Sequence, residues 1–559
     1  MGLPALAAVV ITVLALGYRF YGRYVAAQFR LDDAAVTPAH RKNDGVDFVP
    51  TKPFYLFGQH FSAIAAAGPI VGPILACQQF GWLPALLWIG LGVIFIGAVH
   101  DASTLVASVR HDARSIAEVV RRHLGRRAWV AILAFIWLAL VYVLVAFIDI
   151  TAGTFATGDA DAAGLDFRFN QGGAVALAAV LYLGLALVMG VIDRRWRPPL
   201  WLLTVIFVPA TLAVVWFGTQ HSTWLVLSWR TWVILIIAYC AIASVTPMWL
   251  LMQPRGYLGG FVLYGALLIG VIGVFLGGFT IAQPAVSPTA TWFGTGAMFP
   301  LLFVTIACGA CSGFHGLVCS GTTSKQIDRE GHCHTIGYGA MLLEAFVALI
   351  ALATIMIIDG KPTGGPTKIY SEGLGRFITL LIGDSPEHRL VATTFGAMAL
   401  STFIFDTLDS ATRLGRYVLQ ELFGAEGRVA ALLATAVTCA VPLLFLTIGK
   451  RGSFQMFWTL FGTSNQLLAS LSLLAISVWL YRGGGGRRGQ VPWFTLVPMG
   501  LILAVTVTSL VLQARPLFTA ALGSTPWING VVAVTLLSLA TVLLGYGVAA
   551  VRRTAAEPA

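Results

Sequence analysis

The sequence predicts an all-α polytopic membrane protein with about 15 transmembrane helices. Three observations carry that prediction. Hydrophobic residues make up 58% of the 559 residues, and only 11% are charged. Apolar runs of spanning length recur from one end of the chain to the other. The loops between them are too short to hold a soluble domain. A soluble domain carries about 25% charged residues. This chain has too few to cover a water-facing surface, so the lipid bilayer is its main partner.

Each element follows from the geometry of that bilayer. Hydrocarbon is about 30 Å thick and a helix rises about 1.5 Å per residue, so a span needs about 20 mostly apolar residues. Such runs fall at roughly 2–18, 60–79, 82–105, 128–150, 172–193, 198–217, 229–251, 256–282, 298–319, 335–359, 390–412, 429–448, 454–480, 492–513 and 527–551. Unpaired backbone groups are costly in lipid, so runs this long read as helices. The first run starts directly after Met1 without a basic leader and reads as a retained helix, not a cleaved signal.

The net charge of +11 resides in short loops, the pattern of topology signals; nucleic acid is excluded as a partner on that ground. With the N-terminus outside and the C-terminus in the cytoplasm, the outward loops hold only Arg168, Arg230, Lys361, Lys368, Arg376, Arg389, Lys450, Arg451 and Arg515 of the 35 Lys and Arg residues. The cytoplasmic loop after the third span carries Arg110, Arg114, Arg121, Arg122, Arg126 and Arg127. This places a multi-pass protein in the cytoplasmic (inner) membrane. Residues 1–559 read as one membrane domain, with a core over 50–480 and accessory helices over 492–551. The longest loops are 19–59 and 360–389. Ser115 and Glu118 form a capping box for a short amphipathic helix. Gly483–Gly486 reads as a flexible turn, and the tail after Arg553 as disordered.

Two spans stand apart. One contains Gly68-Pro69-Ile70-Val71-Gly72-Pro73, the other Ala307-Cys308-Gly309-Ala310-Cys311-Ser312-Gly313-Phe314-His315-Gly316. Proline removes a backbone donor and glycine weakens a helix, so both spans are expected to break. Broken helices at mid-membrane free backbone groups for substrate and ions, and two of opposite direction suit an inverted-repeat secondary transporter. Close packing through small residues is the alternative reading.

These stretches resemble the carbon-starvation protein A family of bacterial transporters. The resemblance is carried by AAAGPIVGPILA (65–76), GWLPALLWIGLGVIFIGAVHD (81–101), ACGACSGFHGLVCSGTTSKQI (307–327), IGYGAMLLEAFVALIA (336–351), FDTLDSATRLGRYVLQELFG (405–424) and FWTLFGTSNQLLASLSL (457–473). It implies uptake of peptides or pyruvate across the cytoplasmic membrane, driven by an ion gradient and tied to carbon starvation. It also implies a five-plus-five inverted repeat, although the broken spans are the second and ninth, which leaves a seven-plus-seven arrangement open. The chain departs from the family at Gln59-His60, where two adjacent histidines are expected, and is shorter in its C-terminal region.

Ionisable groups within spans are costly and so are functional candidates. Glu344 lies about nine residues, or roughly 13 Å, inside the tenth span, where hydrocarbon disfavours its charged form and makes it a candidate proton carrier. Asp406 and Asp409 share a helical face; Asp409 is expected to pair with Arg413, and Asp406 to couple an ion or gate. Asp101, beside His100, is a further coupling candidate or a helix-end partner of the basic loop. His60 and His315 flank the two breaks and can titrate near neutrality. Coupling is therefore expected from Glu344, Asp406, Asp101 and His60, with a proton, or sodium as its rival. Substrate is expected at Gly68, Pro69, Gly72, Pro73, Gly309, Ser312, Gly313, His315, Asn465 and Gln466, its carboxylate held by backbone N–H groups at the half-helix ends. No cofactor is expected. Cys308 with Cys311, and His332-Cys333-His334 on a surface loop, read as packing and loop residues; a membrane metal or redox protein using them is the alternative, and a nutrient sensor a third. Gly321-Thr322-Thr323-Ser324-Lys325 lacks the spacing of a phosphate loop.

Overall fold

A computed structural model describes residues 2–44, 47–158, 169–294, 296–448, 454–484 and 489–556. Arg168, Lys450, Arg451, Gly485 and Gly486 of the loops discussed above lie outside the described residues. The chain is almost wholly helical: α1 (Leu3–Phe29), α2 (Pro53–Ile64), α3 (Gly68–Phe80), α4 (Trp82–Arg110), α5 (Ile116–Leu124), α6 (Arg126–Phe155), α7 (Gln171–Trp196), α8 (Leu200–Gln220), α9 (Trp229–Val245), α10 (Met252–Leu276), α11 (Met298–Thr305), α12 (Gly313–Gly321), α13 (His334–Met356), α14 (Pro366–Ile382), α15 (Pro386–Phe423), α16 (Arg428–Ile448), α17 (Met456–Gly484), α18 (Trp493–Thr519) and α19 (Thr525–Ala556). An isolated β-bridge joins Thr51 to Ile327.

Among the described residues, twelve helices are long and apolar enough to cross a membrane, or 13 when the bent pair α2–α3 is taken as one span. The expected count of about 15 is not reached, for two local reasons. Helix α9 stops at Val245 after 17 residues, because Thr246 is extended and precedes Pro247, which disfavours helical backbone before it. The run 298–319 is divided into the short helices α11 and α12. One helix falls where a loop was expected. Helix α14 is amphipathic, burying Ile369, Leu374 and Phe377 on one face while Lys368 and Glu372 pair at 3.7 Å on the other. Pro366 sits in its first turn, where a missing N–H costs nothing, and Gly383 at φ 92° ends it. The last helix continues to Ala556, past the point where a disordered tail was expected.

The chain divides into two compact units. The first comprises Met1–Leu6, Leu140–Pro284 and Ile350–Trp458. Its axis is the 38-residue α15, on which α7, α8, α9, α10, α14 and α16 pack. The second comprises Ala7–Ala139, Ala285–Leu349 and Thr459–Ala559. There α4 packs on α12 and the start of α13, while α11 packs on α3 and α18.

At one end of the second unit, α5 begins with half of the expected capping box: the Ser115 hydroxyl accepts from the Glu118 N–H, while the Glu118 carboxylate pairs with Arg114 and Arg121, each at 3.3 Å. His123 on α5 meets His111, just past α4, with their Nε2 atoms 2.8 Å apart, and Arg482 donates to the His123 carbonyl at 2.9 Å. Burial first, then the neighbouring His111, Arg482 and Arg122, lower His123 to about 4 from an ordinary 6.5. A histidine held down in the folded state stabilises the fold fully above pH 6.5 and loses that contribution as pH falls from there towards 4. The melting temperature in detergent is therefore expected to drop between pH 7 and 5. In His123→Gln the drop should be smaller; an unchanged profile in that variant would rule out His123 as its source.

Candidate functional site

The first interruption lies at Ala65–Ala67, where Ala65 leaves the helix at ψ 54° and the two halves bend by 46°. This corrects the expected position. Gly68, Pro69, Gly72 and Pro73 do not form the break but belong to α3, with Pro69 in its first turn. Their role in the fold is close approach. A Cβ on Gly68 would lie 2.4 Å from the Cys308 Cβ, and one on Gly72 would lie 2.7 Å from the Thr305 carbonyl oxygen. The glycines of one broken span thus seat it against the break in the other.

The second interruption runs over residues 306–312, between α11 and α12. Asn465 on α17 holds it from outside. Its Oδ1 accepts from the Phe314 N–H at 2.9 Å, so it caps α12, and its Nδ2 donates to Ser312 Oγ at 3.0 Å and Cys308 Sγ at 3.3 Å. Gln466 donates to the Phe303 carbonyl at 2.9 Å, and its buried Oε1 has no partner among the described residues. The Trp88 indole reaches the Ile306 carbonyl at 3.3 Å. Gly97 on α4 also touches this segment: a Cβ there would lie 2.2 Å from the Ala310 carbonyl oxygen. Gly97→Ala is accordingly expected to cost about 1–3 kcal/mol or more through overpacking, read as a lowered melting temperature. Trimming the flexible neighbour with Met341→Ala should not restore it, because the closer obstacle is backbone. Wild-type melting in Gly97→Ala would refute this packing.

Beside the second break four titratable side chains form a buried chain. His100 Nδ1 meets Asp101 Oδ1 at 2.7 Å, and His315 Nδ1 meets Asp101 Oδ2 at 2.9 Å. The other ring nitrogen of His315 lies 3.3 Å from Glu344 Oε2, close enough for an ion pair but not aligned as a hydrogen bond. All four residues are at most 1% exposed. Asp101 is therefore not a helix-end partner of the basic loop, as its place near the loop allowed; its carboxylate is held between two imidazoles. Helix α4 supplies His100 and Asp101, the first turn of α12 supplies His315, and α13 supplies Glu344. His60 stands on α2, with Nδ1 2.8 Å from Thr323 Oγ1. Gly309 and Ser312 lie within the break and Gly313 opens α12.

Asp406 belongs to the first unit. Its carboxylate is bound by Arg255, whose Nε donates to Oδ1 at 2.9 Å. The same guanidinium meets Asp409 at 2.7 Å, and Tyr239 donates to Asp409 at 2.9 Å. The expected Asp409–Arg413 pair is absent. Arg413 instead donates to the carbonyls of Ala243 and Thr246 at 2.7 and 2.6 Å, capping the end of α9. Arg255 escaped the sequence reading because it stands at the edge of an apolar run, where a basic residue reads as a topology signal. Asp149, which accepts from the Trp229 indole at 2.9 Å, was missed at the opposite edge of another run.

The cysteines are free thiols. Among the described residues no three His, Cys, Asp or Glu side chains converge as a metal site. The stretch His332-Cys333-His334 is not a surface loop: Cys333 is fully buried, and the His334 ring stacks on Tyr18 at 4.8 Å.

The family model described as Carbon starvation protein CstA matches residues 4–364 and 360–509. The peptide transporter CstA of Escherichia coli (strain K12) is 32% identical, over 89% of this chain and 79% of its own. That of Mycobacterium tuberculosis (strain ATCC 25618 / H37Rv) is 33% identical, over 88% and 73%. The pyruvate/proton symporter BtsT of Escherichia coli (strain K12) is 30% identical, over 90% and 80%. Among solved structures, a manganese transporter of Eremococcus coleocola superposes with a TM-score of 0.46 at 13% identity, over 90% of this chain and 97% of that one. With a family match running almost the length of the chain and relatives at this identity, the protein belongs to the carbon starvation protein CstA family.

Proposed function

We propose that this protein is a proton-coupled secondary transporter that imports a small carboxylate-bearing nutrient, a peptide or pyruvate, and is not an enzyme. It acts as a single transport domain in the cytoplasmic membrane, with its N-terminus outside and its C-terminus in the cytoplasm. The observation that carries the reading is the Asp101–His315–Glu344 chain. A carboxyl with no hydrogen-bond partner among the described residues, 3.3 Å from an imidazole that a second carboxylate already holds, is a site that takes up and releases one proton. The names of the relatives support the substrate classes and the proton.

The chain supplies both halves of the mechanism beside one break. Asn465 takes the Phe314 N–H, and the other backbone N–H groups where α12 opens face a substrate carboxylate, favoured by the helix dipole. The proton on Glu344 removes a buried negative charge, and His315, in that same first turn of α12, passes the change to the break. Asp406, held by Arg255, contributes to gating in the first unit. The test is uptake of labelled pyruvate and labelled dipeptides into proteoliposomes with an imposed pH gradient. Accumulation of one of them above its outside concentration, abolished by a protonophore, is expected. Accumulation driven by sodium without a pH gradient would overturn the choice of proton, and equilibration without accumulation would overturn active transport.

A further inference from the structure

Below the Asp101–His315–Glu344 chain, the facing sides of α4 and α12 are lined by hydroxyls instead of hydrocarbon. Thr104 and Ser108 follow Asp101 on one face of α4, at the three- and four-residue steps that keep side chains in line. Ser320 follows on α12, and Ser324 just beyond it. All four are at most 1% exposed. Ser108 Oγ lies 2.9 Å from Ser324 Oγ and 2.7 Å from the Arg114 carbonyl oxygen. Ser320 Oγ accepts from the Ile116 N–H at 3.1 Å, joining the column to the start of α5. At that end the side chain of Arg114 is 49% exposed, and Arg110 pairs with Glu330 at 2.7 Å.

Most of these hydroxyls do the ordinary work of membrane hydroxyls, bonding backbone or one another. Thr104 and His100 do not. Thr104 Oγ1 and His100 Nε2 are buried polar atoms with no hydrogen-bond partner among the described residues. Both side chains border the same glycine: a Cβ on Gly316 would lie 3.3 Å from His100 Nε2 and 3.6 Å from Thr104 Cγ2. A buried polar atom left unpaired costs about 1–3 kcal/mol; His100 Nε2 meets the glycine face directly, while Thr104 borders it with its methyl and carries Oγ1 on the same Cβ, so a small group that donates and accepts would satisfy both. Chemically that is water, which bridges such groups routinely.

We propose that protons leave the Asp101–His315–Glu344 chain for the cytoplasmic side through this column, by way of His100, a water at the Gly316 face, Thr104, and the Ser108–Ser324 pair, ending beside Arg114. The proposal rests on the proton-coupled reading given above. Each hydroxyl or water accepts a proton on one side and donates its own on the other, so none is consumed. Neutral His100 does the same between its two ring nitrogens. Thr104 is a positioning residue in this route and does not touch substrate.

The test is Thr104→Val, which keeps the shape of the side chain and removes its hydroxyl. In proteoliposomes three quantities are read: pH-driven uptake, the accompanying pH change in the lumen, and substrate counterflow without a gradient. Uptake and lumenal acidification are expected to slow about a hundredfold, the lower end of what a positioned proton-transfer group contributes. Counterflow should be unchanged, and Thr104→Ser should restore the rate. Wild-type uptake in Thr104→Val would overturn the proposal. An equal loss of counterflow would also overturn it, since it would mark Thr104 as packing. A wild-type protein that accumulates substrate without acidifying the lumen would sink the proton-coupled reading itself, a result separable from the behaviour of the variant.

Discussion

Glu344→Gln is expected to abolish pH-driven accumulation while counterflow exchange continues. One pH unit corresponds to about 1.4 kcal/mol, so it can drive about tenfold accumulation for each proton carried with substrate. In the variant the inside concentration should rise only to the outside one. Glutamine matches glutamate in size and cannot exchange a proton, so the substitution removes the chemistry and keeps the packing around a residue that is 0% exposed. Neither carboxyl oxygen has a hydrogen bond to lose among the described residues, and the amide keeps a polar group facing His315 Nε2. Glu344→Asp withdraws the carboxyl from His315 by about one methylene, roughly 1.5 Å, and should fall between the two. Tenfold accumulation in Glu344→Gln would remove Glu344 from the coupling step, whatever its counterflow.

The sequence exposes Glu344 because a carboxylate has no reason to stand amid Leu342, Leu343, Ala345 and Phe346 unless it is used or paired. Asp101 and His315 were visible on the same ground. Their convergence was not. Asp101 and His315 are 214 positions apart and meet only because α12 packs along α4. The two breaks were legible to within a few residues, from proline and glycine alone. The first was displaced because proline in a first helical turn fits the helix instead of ending it. Asn465 was legible as polar but not as a cap, since capping across helices leaves no local spacing to read. Arg255 and α14 were lost to one cause. A rule that looks for charge-free apolar windows assigns charged edges to loops, and both an amphipathic helix and a buried arginine at a helix start fall outside it.

Arg255 supports the second large expected effect. In the first unit one guanidinium, 3% exposed, faces two carboxylates, Asp406 at 30% and Asp409 at 1%. Arg255→Met preserves bulk and removes the only cation bonded to either carboxylate among the described residues. Breaking a buried ion pair by deleting one partner costs about 3–5 kcal/mol, mostly because the remaining charge stays buried. Arg413 cannot take over, because it is already tied to the carbonyls of Ala243 and Thr246. The melting temperature in detergent is expected to fall steeply. Asp406→Asn should be milder, since Arg255 keeps Asp409 and the lost group is the more exposed of the two. The decisive variant combines Arg255→Met, Asp406→Asn and Asp409→Asn. Replacing a whole buried ionic cluster with neutral groups is often close to neutral in stability, so the triple variant should recover most of what Arg255→Met loses. A triple variant no more stable than Arg255→Met would show that the arginine contributes through packing and its bonds to Tyr239, and that charge balance is not what holds this unit together.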